Sequence, residues 1–296
     1  MAAFQEEPPA VARQRVRRAL RQARQATPMS QGDVAKTLGW SLSKMQRIEG
    51  GEVGVSLTDL RALLEVYGVS DEAEVQRLTA DARISRRQRW LIAPEHRTYL
   101  TPALRQLIQF EAEACAIRAY QPVLIPGVFQ TPAVAEIVLG WENLAITEEI
   151  RRVRFDVRMQ RRSHTIDNPA GAPYELVVDE SVIKRHIGDA AVMADQLDSL
   201  IEAAQLPHVS VRLVPFERSA QAGLAGAFEL VSLSDDEDDA VLYLESYDHD
   251  RIVHDPAEVL YHRKLFDQIE GAALSKGATQ RRIAAEAMNL RVALEK

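Results

Sequence analysis

The chain has 296 residues, 46% of them apolar, which suits two domains that each bury a core. It has no apolar run of about 18 residues and a single cysteine, Cys115, which excludes a membrane-spanning helix, an internal disulfide and a zinc site built from several cysteines. Its first residues lack the apolar core of a signal peptide, so we expect a cytoplasmic protein.

The net charge of −7 is unevenly distributed along the chain. Residues 1–100 carry 16 Lys and Arg against 12 Asp and Glu, whereas residues 101–296 carry 20 against 31. This pattern is typical of a small DNA-binding domain attached to an acidic body. Arginine-rich helices that are merely solvated would give the same pattern, so charge alone leaves both interpretations open.

We expect residues 1–9 to form a disordered arm and residues 10–70 a helical domain. The first helix is predicted over 10–25, because an apolar stripe recurs at helical spacing and Pro28 follows its end. The stripe comprises Val11, Val16, Leu20 and Ala23.

Residues 30–51 predict two short helices joined by a tight turn. Ser30 and Asp33 have the spacing of a capping box at the start of the first helix. Gly39 stands where the chain must turn, and Ser41 caps the second helix. This is the spacing of a helix-turn-helix, which places its second helix in the major groove of DNA.

The second helix of this pair divides into an inner and an outer side. Met45 and Ile48 form the inner stripe. The residues left facing outward are Leu42, Ser43, Lys44, Gln46 and Arg47. The sequence therefore predicts a DNA-recognition helix with mainly polar side chains on its outer side.

Residues 10–70 resemble the five-helix domain of the Cro/C1-type family, also called the xenobiotic-response-element family. The matching segments are Met29-Ser30-Gln31, Val34-Ala35, Leu38-Gly39 and Ile48-Glu49-Gly50-Gly51. The resemblance implies that Gln31 touches a phosphate and supports the base-reading residue, and that Leu42 and Ser43 occupy base-contacting positions. It also implies a scaffold ion pair between Arg24 and Glu49.

The chain departs from this family at Leu42, where many members carry glutamine. Leucine cannot form a hydrogen bond with a base edge and can only contact a thymine methyl group. Base readout is therefore expected to shift to the residues that follow it. The full set of candidate DNA-binding residues is Gln31, Ser41, Leu42, Ser43, Lys44, Gln46 and Arg47.

Residues 71–101 are predicted to be a helical connector, with one helix over 71–92. Its inward residues are Val75, Leu78, Ala82 and Leu91. The arginine-rich end of this helix either contacts phosphates or docks against the acidic second domain.

Residues 102–296 predict an α+β domain with a small, mostly antiparallel sheet. Helices are expected over 103–118, from 132, over 147–164, 189–205, 256–270 and 275–295, and strands over 174–179, 209–216, 227–233 and 240–246. We expect residues 234–239 to form an exposed acidic hairpin loop. The two-domain organisation therefore combines an all-α five-helix domain with an α+β domain.

Segments across this second half resemble the large C-terminal domain of actinobacterial regulators of the WhiJ-like, antitoxin-like kind. Matching segments include 110–114, 126–131, 178–180, 207–211 and 242–245. The resemblance implies a transcription regulator, often encoded beside a small protein that antagonises it. It transfers no catalytic residue.

The remaining candidate sites point away from catalysis. Glu245, His249, Asp250, His254 and Asp255 include metal-type ligands, but Asp255 is expected to cap a helix, and neither a metal nor a cofactor is predicted. The chain shows no nucleophile with a base, so we expect no enzyme. Cys115 is expected to be a buried small hydrophobe on a helix.

Three functions therefore stay open. The first is a homodimeric regulator that binds double-stranded DNA, with a small protein partner encoded nearby and no membrane association. The second is a sensor whose loop over 126–131 lines a metabolite pocket. The third is a protein-interaction module in which DNA binding is secondary.

Overall fold

The chain folds into two units with separate hydrophobic cores. The structure, a computed structural model, describes residues 9–51, 53–86, 93–142, 147–218, 225–236, 239–245 and 249–294. One unit comprises residues 1–91 with 233–239, and the other comprises residues 92–232 with 240–296. The predicted order of a helical domain followed by an α+β domain is confirmed. The expected arm over 1–9 lies outside the described residues except for Pro9, which begins the first helix.

The first unit is helical in all of its described elements. These are α1 (Pro9–Gln25), α2 (Gln31–Leu38), α3 (Leu42–Glu49), α4 (Leu57–Val66) and α5 (Glu72–Ser85). Val34, Met45 and Leu60 are fully buried where α2, α3 and α4 meet, and Val16 and Leu20 close the core from α1. The apolar stripes read from the sequence therefore face one another across a single core.

Helix α5 differs from the expected connector. Leu78 and Ala82 are buried in the same core as α1 to α4, so the helical unit continues past residue 70. The helical domain was predicted to end near residue 70 because Gly68, with φ of 71°, turns the chain after α4. Asp71 then caps α5 by accepting a hydrogen bond from the backbone N–H of Ala73. The arginine-rich end predicted for this helix, residues 83–90, is described only as far as Arg86, and residues 87–92 lie outside the described residues.

The second unit combines a sheet with helices. Its helices are α6 (Pro102–Glu113), α7 (Pro132–Glu142), α8 (Glu148–Thr165), α9 (Glu180–Lys184), α10 (Ala190–Ala203), α11 (Pro256–Ala272) and α12 (Lys276–Leu294). Its strands are β1 (Ala116–Gln121), β2 (Tyr174–Asp179), β3 (Val209–Val214), β4 (Phe228–Ser232), β5 (Ala240–Glu245) and β6 (Asp250–Val253).

Within the described residues, these strands form one six-stranded mixed sheet in the order β3-β2-β1-β4-β5-β6. The pairs β1–β2 and β2–β3 are parallel, and the pairs β1–β4, β4–β5 and β5–β6 are antiparallel. Helix α11 covers one face, where Phe266 packs with Phe228 and Tyr120. Since side chains alternate along a strand, Glu229 points to the opposite face.

Strand β1, which lies inside the sheet, was not predicted from the sequence. The helix expected over 103–118 is shorter in the structure, since α6 ends at Glu113 and Ala114 has extended backbone angles. Ile117 lies opposite both Tyr174 of β2 and Val231 of β4, so partners distant in sequence decide the conformation of this alanine-rich segment. Strand β6 was missed as well.

The prediction for Cys115 is wrong. It lies between α6 and β1 rather than on a helix, and it is exposed rather than buried. Because the helix stops two residues earlier, the apolar helical position that the sequence pattern assigned to Cys115 does not exist.

None of the described helices is long and apolar enough to cross a membrane.

Candidate nucleic-acid interface

The turn between α2 and α3 is set by short-range hydrogen bonds. The Ser30 hydroxyl accepts from the backbone N–H of Asp33 at 3.2 Å, and the backbone N–H of Ser30 donates to the Asp33 carboxylate at 2.9 Å. Gly39 has φ of 67°, a left-handed conformation that glycine adopts without steric cost. Ser41 then caps α3 by accepting from the backbone N–H of Lys44 at 3.2 Å. The turn at Gly39 and the cap at Ser41, both formed by contacts within a few residues, therefore determine where α3 begins.

Helix α3 has a buried side and an exposed side. Met45 and Ile48 are buried in the core of the helical unit. The residues exposed on the other side are Leu42, Ser43, Gln46 and Arg47. The predicted division of this helix is therefore present in the structure, with the exception of Lys44.

Lys44 is drawn toward α4 and away from that exposed side. Its Nζ lies 2.9 Å from Oδ1 of Asp59 and 3.8 Å from the centre of the Trp40 ring. An ion pair and a cation–π contact of this kind hold the ammonium group against the protein. Lys44 was named for base contact because helical periodicity does not show that Asp59 and Trp40, which lie outside α3, contact its ammonium group.

The C-terminal end of α3 is fixed by the Glu49 carboxylate, which is 4% exposed. The Arg24 guanidinium donates Nε to Oε1 at 2.6 Å and Nη2 to Oε2 at 3.0 Å, a bidentate pair. The Gln31 amide donates to Oε2 at 2.6 Å. Together Glu49, Arg24 and Gln31 link the ends of α3 and α1 to the start of α2, and we call them the Glu49 centre.

The Glu49 centre also affects the ionisation of its neighbours. The hydrogen bond to Glu49 raises the pKa of Arg24 above its ordinary value. Burial, and then the charge of Glu49, raise the pKa of the Tyr67 phenol well above its ordinary range. Arg24 therefore stays charged and Tyr67 stays neutral at physiological pH.

Other arginines of α1 also point inward. Arg17 donates to the backbone carbonyl of Glu49 at 3.1 Å, and Arg13 donates to the backbone carbonyl of Ser85 at 3.3 Å. Cations next to the last carbonyls of a helix are favourable because those carbonyls lack helical partners. The basic character of α1 therefore stabilises the helical unit and is not simply a surface coat for phosphates.

The second unit contains a comparable charged centre between the sheet and α6 and α8. Arg161 donates Nε to Oε2 of Glu111 at 2.9 Å and Nη2 to Oε1 at 2.7 Å. Tyr174 donates its hydroxyl to Oε2 of Glu229 at 3.3 Å. We call these four residues the Glu111 centre. It contains two buried carboxyl groups and one guanidinium.

Glu229 is the unusual member of the Glu111 centre. It is 5% exposed, and its Oε1 has no hydrogen-bond partner among the described residues. Burial, and then the negative charge of Glu111, raise the pKa of Glu229 to about 8, against the opposing effect of Arg161. Its carboxyl group is therefore mostly protonated at neutral pH. No sequence pattern singled out Glu229, since one glutamate in an apolar strand gives no such signal.

The loop over residues 126–131 was considered above as the wall of a metabolite pocket. In the structure it is held by hydrogen bonds to side chains of the second unit. Gln196 donates its amide to the backbone carbonyl of Phe129 at 2.9 Å and accepts from the backbone N–H of Thr131 at 2.7 Å. Arg158 donates to the Gln130 side chain at 2.6 Å. Phe129, Gln130 and Gln196 are all buried. This loop therefore serves the packing of the second unit.

The residues considered for a metal site have other contacts. Asp250 accepts hydrogen bonds from the hydroxyls of Thr101 at 2.5 Å and Tyr243 at 3.1 Å. Asp255 caps α11, as expected. Across the described part of the chain, no three His, Cys, Asp or Glu side chains are grouped so that they would hold a metal ion.

Comparisons with known proteins agree with the division into two units. The profile of a family described as "Helix-turn-helix domain" matches residues 15–78, which include α2, α3 and the first half of α5. The profile of a family described as "Domain of unknown function (DUF5753)" matches residues 104–285. No curated protein and no solved structure matches the chain significantly. The chain belongs to the DUF5753 family, and it carries a helix-turn-helix domain, the DNA-binding module of transcription regulators, on the N-terminal side of the DUF5753 region.

Proposed function

We propose that this protein is a sequence-specific DNA-binding transcriptional regulator. The observation that carries the proposal is the geometry of α3, whose buried side is fixed in the core and whose opposite side exposes Leu42, Ser43, Gln46 and Arg47. A single α-helix fits the major groove, where base edges present distinct donors and acceptors. The helix-turn-helix match over residues 15–78 supports the same function.

The exposed side chains suit different base edges. Arg47 can donate two hydrogen bonds to guanine, and Gln46 can pair with adenine through its amide. The hydroxyl of Ser43 suits either donor or acceptor. Ser41 is held as the cap of α3, and Gln31 is held by Glu49, so we assign these two residues to positioning and to phosphate contact.

We further propose that the protein binds DNA as a homodimer. Helix α3 has only eight residues and reaches few base pairs, whereas two copies reading half-sites one helical turn apart give sufficient specificity. In this proposal the second unit mediates dimerisation and control by a small partner protein, as its resemblance to antitoxin-like regulators implies. It has no catalytic activity and no cofactor, and the protein acts in the cytoplasm, where its DNA lies.

A binding-site selection with the full-length protein tests this function. A pool of random DNA duplexes should yield an enriched operator, and binding to it should weaken steeply with salt, because phosphate contacts release counterions. Arg47→Ala should cost about 1–3 kcal/mol of discrimination at one base pair. Lys44→Met is the matched control, and it should leave base preference unchanged because Lys44 is already paired with Asp59.

The same complex gives the stoichiometry. Light scattering should find two chains on one operator with two inverted half-sites. A protein that enriches no sequence, or that binds operator and scrambled duplex equally at every salt concentration, would refute the regulator. One chain per operator would refute the dimer alone.

A further inference from the structure

Leu42 is a large apolar side chain on a helix face that is otherwise polar. It is the first residue of α3, directly after the Ser41 cap, and it is 48% exposed. It takes no part in the core of the helical unit. The N-terminal residues of a recognition helix are those that approach base edges most closely. In the proposed complex with DNA, Leu42 therefore faces the base edges without a group that can form a hydrogen bond.

The backbone beneath Leu42 is fixed on both sides. Ser41 caps the helix through the Lys44 N–H, and Met45, three residues after Leu42, is fully buried. The Lys44 ammonium is held by Asp59, so it does not reach across to the base that Leu42 faces. An apolar side chain is thus presented at a defined point of α3, and Asp59 holds the Lys44 ammonium away from it.

The chemistry of the groove identifies what Leu42 can read. Each base edge presents donors or acceptors in the major groove, and the only apolar group there is the C5 methyl of thymine. Leucine placed over another base would remove water from a polar group and leave that group unpaired, which is unfavourable. Contact with a thymine methyl instead buries apolar surface on both partners.

We propose that Leu42 is a specificity-determining residue that selects thymine by its methyl group. Each half-site then contains a thymine facing the N-terminal end of α3. This inference rests on the proposed DNA binding by α3. It adds one defined base and the atom group through which that base is read.

The test removes the methyl group and nothing else. In the operator enriched by the full-length protein, each thymine is replaced in turn by deoxyuridine, which keeps every hydrogen-bonding group. We expect one position per half-site at which this replacement weakens binding about three- to fivefold, the value of burying one methyl group. Deoxyuridine at the other thymines should leave the affinity unchanged.

Variants at and beside Leu42 connect that position to the side chain. Leu42→Ala should bind the thymine operator more weakly and lose its sensitivity to deoxyuridine at that position. Leu42→Gln should change the preferred base there to adenine. Ser43→Ala is the matched control and should keep the full deoxyuridine effect. Because Leu42 is exposed, circular dichroism should show all of these variants folded like the wild type.

The outcomes separate this inference from the function on which it rests. An operator with no methyl-sensitive thymine, or a deoxyuridine effect of equal size in wild type and Leu42→Ala, would overturn the role of Leu42 while DNA binding stands. Failure to enrich any operator would overturn the proposed function itself, and this inference with it.

Discussion

The two units each contain a buried carboxylate held by an arginine from another helix, and the two centres differ in their balance of charge. Glu49 and Arg24 are 4% and 15% exposed, and Glu111 and Arg161 are 2% and 14% exposed. Both pairs are bidentate. The third group at Glu49 is the neutral amide of Gln31, whereas a second carboxyl group, Glu229, lies near Glu111 and Arg161.

This difference separates a centre with one carboxyl group for its guanidinium from a centre with two. In the Glu49 centre one carboxylate is paired with one guanidinium, and the Gln31 amide donates a second hydrogen bond to Oε2. In the Glu111 centre burial raises the pKa of Glu229, and the negative charge of Glu111 raises it further against the opposing effect of Arg161, so Glu229 keeps its proton to higher pH. The position of the recognition helix is thus built on the balanced centre.

The largest loss of stability is expected when Arg161 of the Glu111 centre is replaced. Arg161→Met would leave two carboxyl groups buried without a cation, and breaking a buried ion pair costs about 3–5 kcal/mol. Urea unfolding followed by circular dichroism should show a transition of the second unit at much lower urea concentration. The helical unit, with its own core, should keep its transition.

Two further variants control this prediction. Arg151→Met removes an arginine of the same helix whose partner, Glu148, is exposed, and it should change the transition little. Glu111→Leu combined with Arg161→Met removes both charges, and this double variant should recover a large part of the stability that Arg161→Met loses. Equal destabilisation by Arg151→Met and Arg161→Met would contradict the importance of the Glu111 centre.

Removing the arginine of the Glu49 centre should destabilise its unit less. Arg24→Met leaves one carboxylate, which still accepts from the Gln31 amide. The free energy of unfolding should therefore fall by about 3 kcal/mol, the lower end of the range for buried pairs. The end of α3 would lose its attachment to α1. DNA affinity should then fall by a similar factor for every operator sequence, as measured by titration of operators with single base changes.

Arg24→Lys distinguishes geometry from charge at the same position. Lysine keeps the positive charge but cannot donate two parallel hydrogen bonds to one carboxylate, so it should recover only part of the stability. A changed base preference in Arg24→Met at unchanged stability would contradict a scaffold role for the pair.

Elements fixed by nearby residues were predictable from the sequence. The caps at Ser30, Ser41 and Asp255 and the turn at Gly39 are found where the sequence places them, because each depends on contacts within a few residues. Strand β1 was not predictable in this way. Its pairing with segments near residues 174 and 232 depends on the whole sheet, and its own residues favour a helix equally well.

The same rule applies to the candidate site. Helical periodicity places Met45 and Ile48 inside and Gln46 and Arg47 outside. It could not show that Lys44 turns to Asp59, because that contact depends on how α4 packs beside α3. Nor could it show that Glu229 is buried, since Glu111, Arg161 and Tyr174, which act on its carboxyl group, are far away in sequence.

The unbalanced centre should make the stability of the second unit depend on pH, and this is the smallest of the three expected effects. In the unfolded chain Glu229 ionises near its ordinary pKa of 4.5, whereas in the folded unit burial holds its pKa at about 8. Between these values the folded state binds the extra proton, so stability falls as pH rises and levels off above about pH 8. From pH 6 to pH 8 the free energy of unfolding of the second unit should fall by about 2 kcal/mol.

Glu229→Gln has no carboxyl group to titrate, so urea unfolding at a series of pH values should show a smaller decline for this variant. Parallel curves for the two proteins would mean that Glu229 is already ionised in the folded unit, and the two centres would then not differ as described.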